Sequence, residues 1–285
     1  MNFFDFFRRK KEPSKAEEQK VLMPDGKMAS SRLAALLPQL APLALPCLRI
    51  TATPNDNLFQ FDSKFGGYPY WPTDKPYPVD SFGQYMYLLA QINCAQMPRL
   101  EGYPDKGILQ FFLSADDHYG LNFDNPTDQT NFRVVYFEDT TAPAMDNFSF
   151  LDGQKRESHI PVSRPMGLTF TPDTDYYGYA DVRSHEEWIE ELLADDQQVK
   201  GRPTLEDELI ELYPDLGHKI GGYAYFTQGD PREVAAYQNH ILLLQVDSQG
   251  DHISWGDYGV GNFFIHPDDL QRRDFSRVLY NWDCT

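Results

Sequence analysis

The side chains that most often bind metals or act in catalysis are scattered along this chain of 285 residues. No histidine belongs to an H-E-x-x-H motif, and none lies at zinc-binding spacing from a cysteine. Cys47, Cys94 and Cys284 form no C-x-x-C pair, which favours a reducing, cytoplasmic compartment over a disulfide framework. We therefore predict no metal and no cofactor. The histidines are His118, His159, His185, His218, His240, His252 and His266.

Two weaker candidates for chemistry have simpler explanations. Asp116-Asp117-His118 is the best metal-binding cluster, but the matching pair Asp268-Asp269 precedes a predicted helix, where helix capping explains it. Cys94 follows a strand and would need a nearby base to act as a nucleophile, so an unreactive, partly buried thiol is favoured. No G-x-S-x-G motif is present. We predict no catalytic residues. The alternative is a hydrolase or a small-ligand or metal site at the junction between two repeats.

Gln91 and Gln245 are the most informative polar residues, because each interrupts an otherwise apolar strand at the same place in a repeated motif. A buried amide without partners costs about 1–3 kcal/mol, so we expect both side chains to be hydrogen-bonded. A structural clamp onto a neighbouring Gly-Gly turn is favoured over ligand contact. Trp255 and Asp257 lie in a turn that either shapes a pocket or closes a hairpin.

Aromatic residues between prolines form the best candidate for a binding surface. Tyr68, Tyr70 and Trp71 belong to a proline-rich extended segment, and exposed Tyr and Trp often act as anchors in protein interfaces. With Tyr77 included, we expect about half of these rings to pack in the core. Tyr223 occupies the position of Tyr68 in the second copy of the motif.

The charge is strongly negative, with a formal net value of −18. Half of this imbalance lies in residues 181–216, where twelve acidic residues face three basic ones. An acidic surface repels phosphate backbones and disfavours nucleic acid. It suits a basic protein or a cation, although solubility is the simpler explanation. The acidic candidates for a partner contact are Glu187, Glu190 and Glu191.

The amino-terminal segment, residues 1–29, is predicted to be a flexible tail. Within it, Phe3–Lys11 places four phenylalanines before four cations, the reverse of the order in a secretory signal. Weak contact with a membrane surface is an alternative to a mobile tail. No apolar run approaches the ~20 residues that a membrane-spanning helix needs.

The chain repeats a motif that organises the rest of the sequence. Lys64-Phe65-Gly66-Gly67-Tyr68 recurs as Lys219-Ile220-Gly221-Gly222-Tyr223, 155 residues later. The strand at 88–92 recurs at 242–246, again with a glutamine in fourth place. A third block, D-K-G to D-D, has its counterpart in D-Y-G to D-D. Three blocks in one order and nearly one spacing predict an internal duplication of a β-rich unit.

The predicted fold is α+β and mostly antiparallel β, with helices at the N-terminus and between the repeats. One domain, 30–285, would contain both repeats, at about 59–137 and 218–283, and an acidic helical insert at 181–216. Apolar alternation and aromatic content favour strands within each repeat. Residues 139–180 are interpreted as a long irregular excursion, with short strands inside it as an alternative.

Capping signals locate the helices. Ser30 or Ser31 is expected to cap a helix whose leucines lie at helical spacing up to Leu40. Between the repeats, Ser184 begins a capping-box pattern and Thr204 begins a second helix.

The K-x-G-G-Y pair, the LLAQI and LLLQV strands, the W-G-D-Y-G turn and the F-F-I-x-P-D-D-L ending resemble the YwqG-like family of bacterial proteins. The resemblance covers roughly residues 30 to 283. It implies a mixed α+β fold with antiparallel sheets, a domain of unknown function and no catalytic residues. Members of that family occur among bacterial toxin and immunity genes. The functional hypothesis is a non-catalytic protein-binding module, with an immunity-type inhibitor of a basic toxin as its sharpest form.

Overall fold

The computed structural model describes residues 19–152, 160–184, 187–194 and 202–285. The segment Phe3–Lys11, His159 and His185 lie outside these residues. Part of the segment predicted to be a tail is ordered: β1 (Lys20–Leu22) and β2 (Met28–Ser30) pair as an antiparallel hairpin.

A ten-stranded sheet organises the described part of the chain, and each of its strand pairs is antiparallel. Its order is β12-β11-β10-β9-β3-β8-β4-β5-β6-β7. The strands are β3 (Leu45–Pro54), β4 (Lys64–Phe65), β5 (Tyr87–Asn93), β6 (Ile108–Leu113), β7 (Phe132–Phe137), β8 (Met166–Asp175), β9 (His218–Gly221), β10 (Ile241–Asp247), β11 (Val260–Ile265) and β12 (Leu279–Asp283). The predicted α+β class with mostly antiparallel sheet is confirmed.

The sheet curls strongly, so that strands far apart in its order meet face to face. The rings of Phe111 on β6 and Phe263 on β11 lie 4.8 Å apart between centroids. Phe132 on β7 and Tyr280 on β12 lie 5.1 Å apart. These buried rings belong to one apolar cluster that both ends of the sheet share.

The centre of the sheet contains β8, a strand that the sequence analysis did not predict. β8 pairs with β3 over ten residues, from Leu45↔Asp175 to Pro54↔Met166, within the region interpreted as irregular. Its sequence contains Gly167, Pro172, Asp173 and Asp175, which are residue types depleted in strands. Pro172 has no backbone N–H to donate to a neighbouring strand. It is tolerated because β4 pairs only with the first two residues of β8, so no strand lies on that side of Pro172 to accept such a bond.

The four α-helices of the described residues are α1 (Ser31–Leu40), α2 (Glu187–Ala194), α3 (Leu205–Leu212) and α4 (Pro267–Arg272). Ser30 caps α1, as predicted, by accepting a hydrogen bond from Leu33 N at 3.1 Å. Thr204 caps α3 in a capping box with Asp207. The first three helices pack together in one apolar cluster. Glu208 lies buried in that packing, where it accepts a hydrogen bond from Ser30 N at 2.6 Å.

Candidate functional site

The first glycine turn, Gly66-Gly67, follows β4 and has a left-handed backbone. Its φ angles are +64° and +72°, a conformation that glycine adopts without strain. Gly66 N donates to Leu89 O at 3.0 Å. A Cβ on Gly66 would lie 3.0 Å from the side chain of Val162, so the turn also needs glycine for close packing.

Gln91 holds this turn from the neighbouring strand. Its buried Oε1 accepts hydrogen bonds from Tyr70 N at 2.7 Å and from Gln110 Nε2 at 2.8 Å. Its Nε2 donates to Gln60 O at 2.8 Å and to Asp62 O at 2.9 Å. One amide therefore ties β5 to the chain before and after the turn, which is the structural role expected of it.

The second glycine turn, Gly221-Gly222, follows β9 with both φ angles at +73°. Gln245 Oε1 accepts a hydrogen bond from Tyr225 N at 2.8 Å. Its Nε2 donates to Asp215 O at 2.8 Å and to Gly217 O at 2.7 Å. The pattern of donors and acceptors matches that of Gln91 at the first turn.

The space beside the second glycine turn is filled by the protein's own carboxylate. Asp175 Oδ2 accepts hydrogen bonds from Lys219 Nζ at 2.8 Å and from Tyr223 N at 3.0 Å. Asp175 also pairs with Arg49, and both Asp175 and Lys219 are fully buried. A Cβ on Gly222 would collide with the Asp175 carboxylate.

A second buried carboxylate completes this packing. Asp181 accepts a hydrogen bond from Ala224 N at 2.7 Å and pairs with Arg183 and Arg232 at 2.7 Å and 2.8 Å. Burial raises the pKa of Asp181, but the two guanidinium groups outweigh burial and hold the pKa well below its usual range. The second turn is therefore closed by compensated charges.

The first glycine turn instead borders a cavity of about 480 Å³. Every lining residue lies between positions 56 and 165, so the second turn contributes none. The walls are mostly apolar, with a few charged and polar groups at the turn and the mouth. The lining includes Leu58, Lys64, Gly67, Tyr87, Phe148 and Arg164.

Lys64 is a buried cation in the wall of this cavity, with 2% of its surface exposed. Its Nζ donates to three carbonyls, those of Phe59 at 2.7 Å, Gln60 at 3.3 Å and Tyr68 at 3.1 Å. Among the described residues, no carboxylate lies within ion-pair distance of it. Burial lowers the pKa of Lys64 to about 8, against a smaller opposing effect of Asp62.

Other polar groups of the cavity are few. Arg164 and Asp56 form an ion pair of 2.7 Å, and both side chains are exposed. The Tyr87 hydroxyl is buried and has no hydrogen-bond partner in the described part of the chain. The described lining residues include neither histidine nor cysteine, so none of them supplies an imidazole or thiol for nucleophilic catalysis.

The contact between the two halves of the sheet, where a ligand site was the alternative, is packed. A void of about 10 Å³ lies there, between Ile92, Cys94 and Leu109 on one side and Ile220 and Leu243 on the other. That volume holds no more than about one water molecule. Burial raises the pKa of the Cys94 thiol to about 12, which is typical of an unreactive cysteine.

The aromatic candidates separate into core and surface residues. Tyr70, Trp71 and Tyr77 are buried in one apolar cluster, so they are not the surface anchors that an exposed segment would supply. Tyr68 is 44% exposed, lines the cavity and stacks on Phe148 with ring centroids 5.1 Å apart. The proline-rich segment packs against aromatic rings from other parts of the chain. This packing depends on tertiary contacts, which the spacing of residues in the sequence does not predict.

The counterparts in the second half lie away from the cavity. Tyr223 is buried, and its hydroxyl donates to Leu43 O at 2.8 Å. Trp255 is buried, and its carbonyl accepts from Gly259 N at 2.9 Å, which closes a turn just before β11. Asp257 is exposed. Of the acidic candidates, Glu191 is exposed on α2, while the side chains of Glu187 and Glu190 lie outside the described residues.

The aspartate clusters serve local structure. The Asp116 carboxylate accepts hydrogen bonds from His118 N and Gly120 N, both at 2.9 Å. The N-cap of α4 is His266, which replaces the aspartate cap expected there, and Asp269 pairs with Arg272. Among the described residues, no group of three or more histidine, cysteine, aspartate or glutamate side chains is placed to hold a metal ion.

Residue types and spacing placed Lys64 in the repeated motif but did not mark it as a candidate site residue, because its burial beside the cavity depends on tertiary contacts. No feature of the sequence marks Arg164 and Leu58 as cavity residues, because the pairing of β8 with β3 brings them to the cavity.

One comparison with known proteins adds a finding. The family model described as "Domain of unknown function (DUF1963)" matches residues 63–284, which include both glycine turns and the strands from β4 to β12. No curated protein matches the chain. Among the described residues, no helix has the length and apolar character needed to cross a membrane.

Proposed function

This chain belongs to the DUF1963 family, a domain of unknown function, and from the geometry of its cavity we propose that it is a non-catalytic binding protein for a small ligand. The observation that carries the proposal is the cavity of about 480 Å³ at the first glycine turn. Small-molecule sites typically measure about 300–1,000 Å³ and have apolar walls with a few placed polar groups.

Hydrogen bonds and apolar packing hold parts of the cavity wall in place. Gln91 fixes the chain on both sides of the turn through buried hydrogen bonds. Phe148 and Leu151 belong to a buried aromatic cluster that supports the opposite wall. A cavity supported in this way loses little conformational entropy when a ligand binds, which favours affinity.

The test uses N-phenyl-1-naphthylamine, a neutral apolar dye whose fluorescence rises in an apolar cavity. We expect saturable binding to the wild type. Leu58→Trp places a larger side chain in the cavity wall and should weaken binding at least about tenfold, equal to about 1.4 kcal/mol. The matched control Leu216→Trp changes an exposed leucine outside the lining and should leave the affinity unchanged.

Thermal unfolding of both variants controls for loss of structure. Absence of saturable binding to the wild type contradicts the proposal, and so does equal affinity of the wild type and a folded Leu58→Trp variant.

An internal duplication is part of the proposal. Its support is the matched bonding of Gln91 and Gln245 and the strand order, which reads β9 to β12 on one side of the β3–β8 pair and β4 to β7 on the other. Lys64 faces Gln91 across one strand pair, and Lys219 faces Gln245 across the other. The single domain at 30–285 and the YwqG-like assignment within the family are proposed on the same motifs.

A protein partner is the second candidate, supported by the concentration of acidic residues at 181–216. Glu191 and Glu211 are exposed on α2 and α3, and Trp188 is 41% exposed beside them. Such a surface suits a basic protein partner. The most specific version of this hypothesis is an immunity-type inhibitor of a basic toxin in the cytoplasm. The three free cysteines support that location.

The test of this second candidate is capture of a basic protein that binds the wild type. Its affinity should fall in Glu191→Gln/Glu211→Gln and stay unchanged in the control Glu101→Gln/Glu138→Gln, which neutralises two exposed acids elsewhere. Equal affinity for both double variants contradicts a role of the acidic helices.

A further inference from the structure

We propose that the ligand of this cavity has an apolar body and one anionic group, of the carboxylate or sulfonate kind, which binds at the first glycine turn in front of Lys64. The inference rests on the proposed ligand-binding function and names the chemical class of that ligand. It follows from what the protein itself places at the second glycine turn.

At the second turn an anion fills the space beside the glycines. The Asp175 carboxylate bridges Lys219 Nζ and the backbone N–H of Tyr223, at 2.8 Å and 3.0 Å. The positions of Lys219 and Tyr223 in the motif correspond to those of Lys64 and Tyr68. The second turn therefore shows that a lysine at this position of the motif can face a carboxylate. Lys64 Nζ already donates to three carbonyls, so it would attract a ligand anion through its charge.

At the first turn a proline side chain, and no carboxylate of the described residues, lies against the second glycine. A Cβ on Gly67 would meet only the Pro165 side chain, at 3.3 Å. Gly67, Tyr68 and Lys64 all line the cavity of about 480 Å³. A ligand anion would therefore reach the first turn from this cavity, beside the Pro165 side chain.

The register of the sheet explains which residue supplies the anion at the second turn. Lys219 pairs with Arg49 on β3, and Arg49 pairs with Thr171 on β8. Asp175 lies four residues further along β8. Its carboxylate reaches back to Lys219 from this position.

If the strand pairing is followed in the same way from the first turn, the residue four positions further along is neutral. Lys64 pairs with Gly167 on β8, and Gly167 pairs with Thr53 on β3. Four residues further along the chain lies Asn57, which is exposed and whose N–H donates to Asn55 Oδ1 at 2.9 Å. Asn57 lies beyond the end of β3, and its acidic neighbour Asp56 pairs with Arg164 and not with Lys64.

The charges around the cavity favour an anion at the turn. Lys64 is buried with carbonyl partners and has no carboxylate at ion-pair distance in the described chain, whereas buried charges are usually paired. At the mouth, Arg164 and Asp56 neutralise each other in an exposed ion pair. Asp146 is exposed, so its charge is screened by solvent.

The experiment compares two dyes with one skeleton. 8-Anilinonaphthalene-1-sulfonate carries a sulfonate, and N-phenyl-1-naphthylamine is the same molecule without it. We expect Lys64→Met to weaken binding of the sulfonate dye about tenfold, equal to about 1.4 kcal/mol, and to change the affinity for the neutral dye less than about twofold. The control Lys75→Met removes an exposed lysine outside the lining and should change neither affinity.

A second measurement needs no variant. Between pH 7 and about 9.5 the sulfonate stays ionised, while Lys64 loses its charge because burial lowers its pKa to about 8. The bound anion raises that pKa by linkage, so affinity for the sulfonate dye should fall at the upper end of this range. Affinity for the neutral dye should stay constant.

The outcomes separate the two proposals. If both dyes bind the wild type and Lys64→Met weakens them equally, or if the ratio of their affinities does not change with pH, the anionic class is refuted and the cavity remains a ligand site. If neither dye binds, the proposed function itself fails.

Discussion

The two glutamine clamps should contribute similar stability, and a pair of substitutions tests this. Gln91→Leu and Gln245→Leu keep an apolar side chain of similar volume in place of each buried amide. Each substitution leaves one backbone N–H without its acceptor, the buried one of Tyr70 or the partly buried one of Tyr225, and removes two donated hydrogen bonds. Gln91→Leu also removes the bond from Gln110 Nε2. An orphaned buried donor costs about 1–3 kcal/mol and each lost bond about 0.5–1.5 kcal/mol.

These values together predict that each variant loses about 2–6 kcal/mol of unfolding free energy. The assay is urea unfolding followed by circular dichroism, with the m-value checked for constancy. The control Gln84→Leu changes an exposed glutamine and should cost less than about 0.5 kcal/mol.

A large loss in one clamp variant together with less than about 1 kcal/mol in the other refutes the matched role of the two amides.

Three further predictions concern the charges and glycines of the two turns. Gly222→Ala should destabilise the protein much more than Gly67→Ala in urea unfolding, because its Cβ collides with the Asp175 carboxylate; equal losses contradict this. Asp175→Asn should cost about 3–5 kcal/mol by leaving Lys219 buried without its anion, which calorimetry can measure; a loss below about 1 kcal/mol contradicts it. Because folding lowers the pKa of Lys64 from 10.5 to about 8, the unfolded chain binds more protons between these values. The stability of the wild type relative to Lys64→Met should therefore rise with pH across that window, and a difference independent of pH contradicts it.

Local signals were enough to predict much of the fold. Ser30 capping, the leucine spacing of α1 and the apolar strands around Gln91 and Gln245 each depend on neighbours in sequence, and each is present. Their physical causes, side-chain capping and periodic burial, act over a few residues. A sequence displays such causes directly.

The central strand and the cavity depend on contacts across the chain. β8 extends over ten residues because β3 pairs with it along its whole length, although Gly167, Pro172 and two aspartates are depleted in strands. The burial of Tyr70 and Trp71 follows from rings contributed by Phe112 and Phe137. The difference between the two glycine turns depends on Asp175, a residue more than forty positions away from Lys219, so the repeated motif alone could not reveal which turn is open.

The most direct test of the account is a crystal structure of the protein with 8-anilinonaphthalene-1-sulfonate bound. We predict that the naphthalene ring lies against Phe148 in the cavity and that the sulfonate lies at Gly67, within ~6 Å of Lys64 Nζ, where opposite charges interact strongly. A dye bound elsewhere, or a sulfonate that points to solvent beside Arg164, would contradict it.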